Sequence, residues 1–187
     1  MADFAAARLN MVESQVRTAD VTDVRIHDAM RAIPRERFAP ETKSHLAYTD
    51  IEVEYAPGRW LLKPRDVAKL MQALRPMPGE KALAISAPYA AAMLEELGAL
   101  VTRAEAGEPL PGGDYDLIVC EGAVARAPDA WTGGLAMNGR LGVVERDGPV
   151  GNAVLLVRAA DGLGRRDLFD SFAPVLSGFE AHHGFAF

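Results

Sequence analysis

The stretch KALAISAPYAAAMLEEL, Lys81 to Leu97, decides the fold. Ala82 to Ile85 is a short unbroken apolar run of strand length, and Tyr89 to Leu97 is rich in strong helix formers. A buried strand that turns directly into a helix is the place where open α/β sheets receive nucleotide-like cofactors. The turn here, Ser86-Ala87-Pro88, contains no glycine. The frame of a cofactor site is therefore present without the residue type that lets a ligand approach bare backbone.

On the carboxyl side, short apolar runs alternate with helical stretches. Strands are expected at Leu100 to Glu105, Asp116 to Cys120 and Arg140 to Glu145, with a helix from Pro128 to Leu135. That order implies βαβ units and a mainly parallel sheet. The segment NAVLLVRAADGLGRRDLFDSFAPVL reads as two strands about an Asp161-Gly162 turn, an antiparallel hairpin that finishes the sheet.

On the amino side the signals are helical from Asp3 to about Leu74. Ile26, Ala29, Met30 and Ile33 recur at helical spacing, with Thr22 or Asp23 to cap the start and Pro34 to stop it. In PRDVAKLMQAL, Val67, Leu70, Met71 and Leu74 repeat the pattern, and Pro64 suits a first turn because its missing N–H would be unpaired there. Tyr48 to Leu62 reads as loop and short strand. The expectation is one domain: a helical segment over 1–75 and a sheet-bearing core over 80–187.

Composition narrows the function classes. With 187 residues, 49% apolar and 25% charged, the chain is an ordinary globular one. A formal net charge of -6 removes the broad basic surface that nucleic-acid binding requires. No run approaches the length of a membrane span, and the only cysteine, Cys120, suits a reducing compartment, so a cytoplasmic protein without nucleic-acid or membrane partners is expected. No Cys, His and acid cluster has metal spacing, and the adjacent His182 and His183 would point opposite ways in an extended chain.

Several segments, in order, resemble the protein-L-isoaspartate O-methyltransferase family: MVESQVR (Met11 to Arg17), VTDVRIHDAMRAIPRERFAP (Val21 to Pro40) and LAYTD (Leu46 to Asp50), then DYDLIVCEGAVARAP, LAMNGRLGVV and RRDLFDSFAPVLSGF. The resemblance implies a Rossmann-like class I methyltransferase sheet that binds S-adenosylmethionine. Three departures fall at the working parts of such an enzyme. The family's glycine-rich loop is replaced by Ser86, Ala87 and Pro88, and Ala84 stands where an acidic residue is expected late in the strand. The family carries a Thr-Ile-Ser-Gln-Pro-like run whose serine is implicated in catalysis, and matching on Pro64 places Leu62, which has no hydroxyl, at that serine. Glu105 stands about where a carboxylate would hold the cofactor ribose, yet only AGEPLPGGD, Ala106 to Asp114, separates it from the next strand. Fully extended, nine residues reach about 30 Å, enough to recross the sheet but too few to fold a further helix and strand as well.

The resulting expectation is a family member with one strand and one helix missing. It has no intact catalytic residue and keeps only remnants of a cofactor site at Ala84, Ser86, Pro88 and Glu105. No cofactor is expected, and the function is that of a binding or scaffold protein. The shortened sheet edge, Leu100 to Glu105, or the vacated cleft would receive a protein partner or a second copy, since an uncovered edge pairs with other chains. The alternative is an active S-adenosylmethionine-dependent carboxyl methyltransferase; a third option is a cleft that takes another small molecule. Blander readings are preferred for the remaining residues. Cys120 is read as a buried small hydrophobe, His27 and His45 as solvent-facing, PRERF (Pro34 to Phe38) as a solvated turn, and Phe179, Phe185 and Phe187 as folding back onto the sheet.

Overall fold

The computed structural model describes residues 3–181. Helix α1 (Phe4–Met11) is capped by Asp3, whose carboxylate accepts from Ala6 N at 3.0 Å. It runs on through a π-helical stretch, Val12–Val16, into a 3-10 turn, Arg17–Ala19. Helix α2 (Val24–Ala32) is capped by Asp23 rather than Thr22, with Asp23 Oδ1 accepting from Arg25 N at 3.0 Å. Two 3-10 helices, Arg35–Phe38 and Glu41–Leu46, lead to a small hairpin of β1 (Val53–Ala56) and β2 (Arg59–Leu61). Helix α3 (Pro64–Leu74) starts on its proline and buries Val67, Leu70, Met71 and Leu74, the face that the spacing predicts.

The main sheet contains β3 (Lys81–Ile85), β4 (Leu100–Ala104), β5 (Tyr115–Val124), β6 (Leu135–Glu145), β7 (Gly151–Ala159) and β8 (Gly162–Ser171) in the order β4-β3-β5-β6-β7-β8. The first four are parallel, and β7 and β8 run antiparallel. Helix α4 (Pro88–Glu96) links β3 to β4, and the short α5 (Asp129–Gly133) precedes β6. The N-terminal helices, α3 and α4 pack their apolar residues with one face of the sheet. The opposite face gathers Leu83, Ile85, Ile118, Leu141 and Val143 with Trp131 of α5. Phe179 folds back here, with its ring 5.5 Å from that of Trp131; Phe185, Phe187, His182 and His183 lie outside the described residues.

Residues 105–114 contain no helix or strand, and β4 is the sheet edge, as the length of AGEPLPGGD requires. Ala106 and Leu110 of this crossing pack onto the second face, so an irregular segment covers apolar surface that a helix would otherwise shield.

Other expectations need correction. The α5 helix is shorter than Pro128 to Leu135, because Gly133-Gly134 end it and Leu135 already pairs with Tyr115 in the sheet. Strand β5 does not stop at Cys120 but continues to Val124. His27 is buried rather than solvent-facing, its Nε2 being 2.8 Å from the Val21 carbonyl oxygen. PRERF is not simply a solvated turn: Arg35 is fully buried, donating from Nε to the Ala47 carbonyl at 2.9 Å and from Nη2 to that of Leu62. His45 is exposed and Cys120 is buried, as read from the sequence.

Candidate functional site at the exit of β3

The β3–β4 ladder continues one residue past β3, where Ser86 N donates to the Ala104 carbonyl at 2.8 Å. Ser86 itself lies in the left-handed region, with φ 44°. A side chain in that region costs about 1–2 kcal/mol, which a glycine would not incur. The hydroxyl offsets part of this cost by donating to Glu105 Oε2 at 2.8 Å and accepting from Ala106 N at 2.9 Å. From β2, Arg59 closes the circuit: its Nε lies 3.7 Å from Glu105 Oε2 and its Nη2 donates to the Ala106 carbonyl at 2.7 Å. Two of the predicted remnant positions, Ser86 and Glu105, are thus brought together by a hydrogen bond, while Ala84, two residues before Ser86 on β3, is almost fully buried in the core.

Pro88 opens α4 and contributes no N–H. The next two amides, Tyr89 N and Ala90 N, both donate to Glu121 Oε2 at 3.0 Å, while Leu62 N donates to Glu121 Oε1 at 3.2 Å. Exposed amides at a helix N-terminus form a natural anion site. Here the anion is a side chain of the protein, fully buried and carried by the neighbouring strand.

An irregularity in β5 puts Glu121 there. Val119 pairs with Gly142 and Ala123 with Val144, so four steps on β5 oppose two on β6. Gly122, at φ 112°, absorbs the distortion, and a Cβ at that position would lie 2.5 Å from Leu176 Cδ2. Bulges of this kind re-aim a side chain. Sequence reasoning passed over Glu121 because an acid after an apolar run resembles a strand end. The available signal was the Glu-Gly pair inside LIVCEGAV, a charge next to the residue type that tolerates such a bend.

The surroundings of Glu121 are electrostatically unusual. Burial pushes its carboxyl above the ordinary carboxylate range, while the Arg35 guanidinium and the three amides pull the other way. Burial likewise depresses Arg35, whose guanidinium lies 4.6 Å from the centre of the Tyr89 ring. The Tyr55 hydroxyl is buried close to Ser86, and burial, followed by the charges of Glu105 and Glu121, pushes it up. Cys120 is also pushed up by burial, which keeps it a neutral thiol. Leu62, at the position predicted for the family serine, is 0% exposed. Its N–H serves Glu121, its carbonyl serves Arg35 and its side chain joins the core.

None of the five cavities described, about 260 to 590 Å3 in volume, is lined by Ala84, Ser86, Pro88 or Glu105. Among the described residues no group of three or more His, Cys, Asp or Glu could hold a metal ion, and no helix is long and apolar enough to cross a membrane.

The model of the protein-L-isoaspartate(D-aspartate) O-methyltransferase (PCMT) family matches residues 7–104. A protein-L-isoaspartate O-methyltransferase of Methylorubrum extorquens is 32% identical, the match covering 94% of this chain and 91% of the relative. The chain belongs to the PCMT family. A second PCMT relative, from Rhodopseudomonas palustris, is 34% identical over 74% of this chain and 69% of its own length. The Methylorubrum alignment spans 209 positions, more than the 187 residues of this chain, so that PCMT protein carries segments absent here. Among solved structures, a Plasmodium falciparum chain described as a PCMT protein in complex with S-adenosyl-L-homocysteine superposes with a TM-score of 0.72. It shares 15% identity, with 95% of this chain and 99% of that one covered, a likeness of fold.

The turn at the β3 exit offers a serine side chain and a proline. The first free amides of α4 are already bonded to Glu121.

Proposed function

We propose that this PCMT-family protein does not use S-adenosylmethionine and acts in the cytoplasm as a non-catalytic binding or scaffold protein. The observation that carries this reading is the Glu121 carboxylate seated on Leu62, Tyr89 and Ala90. A ligand approaching the start of α4 would have to displace a buried charge and leave three amides to be satisfied again, at a cost of several kcal/mol. The Ser86–Glu105 bond and the absence of a hydroxyl at Leu62 support the same reading. We assign protein contact to β4, which among the described residues pairs only with β3 and leaves Leu100 exposed.

Calorimetric titration with S-adenosylmethionine and S-adenosylhomocysteine tests the cofactor half of the proposal. No saturable heat is expected up to about 1 mM ligand, whereas a micromolar dissociation constant defeats the reading. Sedimentation with and without a charged substitution at Leu100 tests the edge; a strict monomer that captures no partner removes that assignment. A second reading, an active carboxyl methyltransferase acting on isoaspartyl peptides, is favoured by the 32% identity across 94% of the chain. Methyl transfer to an isoaspartyl peptide above the level of an Arg35→Ala, Glu121→Ala double variant would select it.

A further inference from the structure

On the other side of the molecule, a cavity of about 560 Å3 opens between the start of α2, the second half of α3 and strand β8. Its lining includes Arg75 and Met77, which precede β3, so it lies toward the opposite end of that strand from Ser86. Four cations border it, Arg25, Lys69, Arg75 and Arg166, against one carboxylate, Asp23. This is a local excess of three positive charges in a chain whose net charge is -6.

The one carboxylate is already committed, since Asp23 binds Arg25 at 2.7 Å and caps α2. Lys69, Arg75 and Arg166 form no ion pair among the described residues. The wall behind them is fixed. Gln72 Oε1 accepts from Thr22 N at 2.7 Å and Asp23 N at 3.1 Å, and Gln72 Nε2 donates to the Asp20 carbonyl at 2.9 Å, tying α3 to the start of α2. The Lys69 ammonium rests 4.5 Å from the centre of the Phe169 ring, which orients it without neutralising it. Ala73, Met77 and Leu168 supply apolar surface beside the charges.

Unpaired like charges held around a concavity raise one another's energy, and an anion relieves it. Two guanidinium forks and an ammonium suit phosphate oxygens, and the volume falls within the range of small-molecule sites. We propose that this cavity binds a phosphate-bearing small molecule, its phosphate held by Lys69, Arg75 and Arg166 and its less polar body against Met77, Leu168 and Phe169. The site is independent of the β3 exit and of whether the protein is catalytic.

The test is a titration of the isotope-labelled full chain with 5′-AMP and, separately, with pyrophosphate at low ionic strength, followed by amide chemical shifts. Saturable shifts at Ala73, Met77 and Leu168, without shifts at Ala87 and Tyr89, are expected for 5′-AMP, with weaker binding of pyrophosphate. The Lys69→Ala, Arg166→Ala double variant should lose at least about tenfold in affinity, as should Arg75→Ser alone if the double variant is unstable. Arg103→Ala, on β4, should bind like the parent protein. Absence of saturable shifts with both probes overturns the proposal. So do shifts centred on Ala87 and Tyr89, or an equal loss of affinity in Arg103→Ala.

Discussion

Of the carboxylates at the carboxyl end of the parallel strands, Glu105 and Glu121 have opposite characters. The Glu105 side chain is 56% exposed at the sheet edge, bonded to the Ser86 hydroxyl and near Arg59. Glu121 is fully buried two strands further in, on β5, and holds three backbone amides. Glu105 occupies the place that family resemblance assigns to a ligand contact, yet the local structure is organised around Glu121.

Substitution should separate the two. Glu121→Ala removes a charge that favours the buried Arg35 guanidinium and leaves three amides unsatisfied, so a loss of about 3–5 kcal/mol is expected in urea denaturation. A loss below about 1 kcal/mol would mean that water enters and replaces the carboxylate, and the contrast would fail. Next in size is Gly122→Ala, which forces a side chain into the left-handed region and against Leu176. A cost of about 1–3 kcal/mol is expected, visible as a lower thermal midpoint.

The contrast also has a pH signature. Because folding raises the Glu121 carboxyl above its unfolded value, the acid's contribution to stability is full below the ordinary carboxylate pKa. It is lost as pH rises through the folded value. Asp66, buried beneath the Ser171 hydroxyl, acts in the same sense. Stability of the parent protein relative to Glu121→Gln should therefore fall with rising pH above about 4.5, with a slope of at most about 1.4 kcal/mol per unit. A relative stability that instead rises over this window would show that Arg35 and the amides outweigh burial. The smallest effects belong to the edge. Glu105→Ala should change stability by less than about 1 kcal/mol. Ser86→Gly should be close to neutral, relief of the left-handed serine offsetting two lost hydrogen bonds.

The same pair shows what could be read from the sequence. Strand β3, helix α4, edge strand β4 and the crossing after it follow from apolar runs and from a count of residues, which are local quantities. The family was legible in the helical N-terminal segments. Glu121 and Arg35 were not, because what makes them buried rather than exposed is distant in the chain. Arg35 reaches carbonyls 12 and 27 residues away, and Glu121 reaches amides 31, 32 and 59 residues away. Nothing in PRERF or VCEGAV alone announces those partners. His27 was misread for a more local reason: its ring is held by the Val21 carbonyl, six residues earlier and outside its helix.

The crossing at residues 105–114 also bears on how the chain finds its fold. Strand β5 must pair with β3 across the intervening α4 and β4, as when Ala82 meets Leu117. A longer excursion between β4 and β5 would enlarge the loop closed by that pairing, by roughly 0.6 kcal/mol of chain entropy for each doubling of length. Omitting it lowers the sequence separation of the central contacts, and proteins with more local contacts cross their folding barrier sooner. The shortened chain should therefore assemble its parallel core faster than relatives that carry the extra segment.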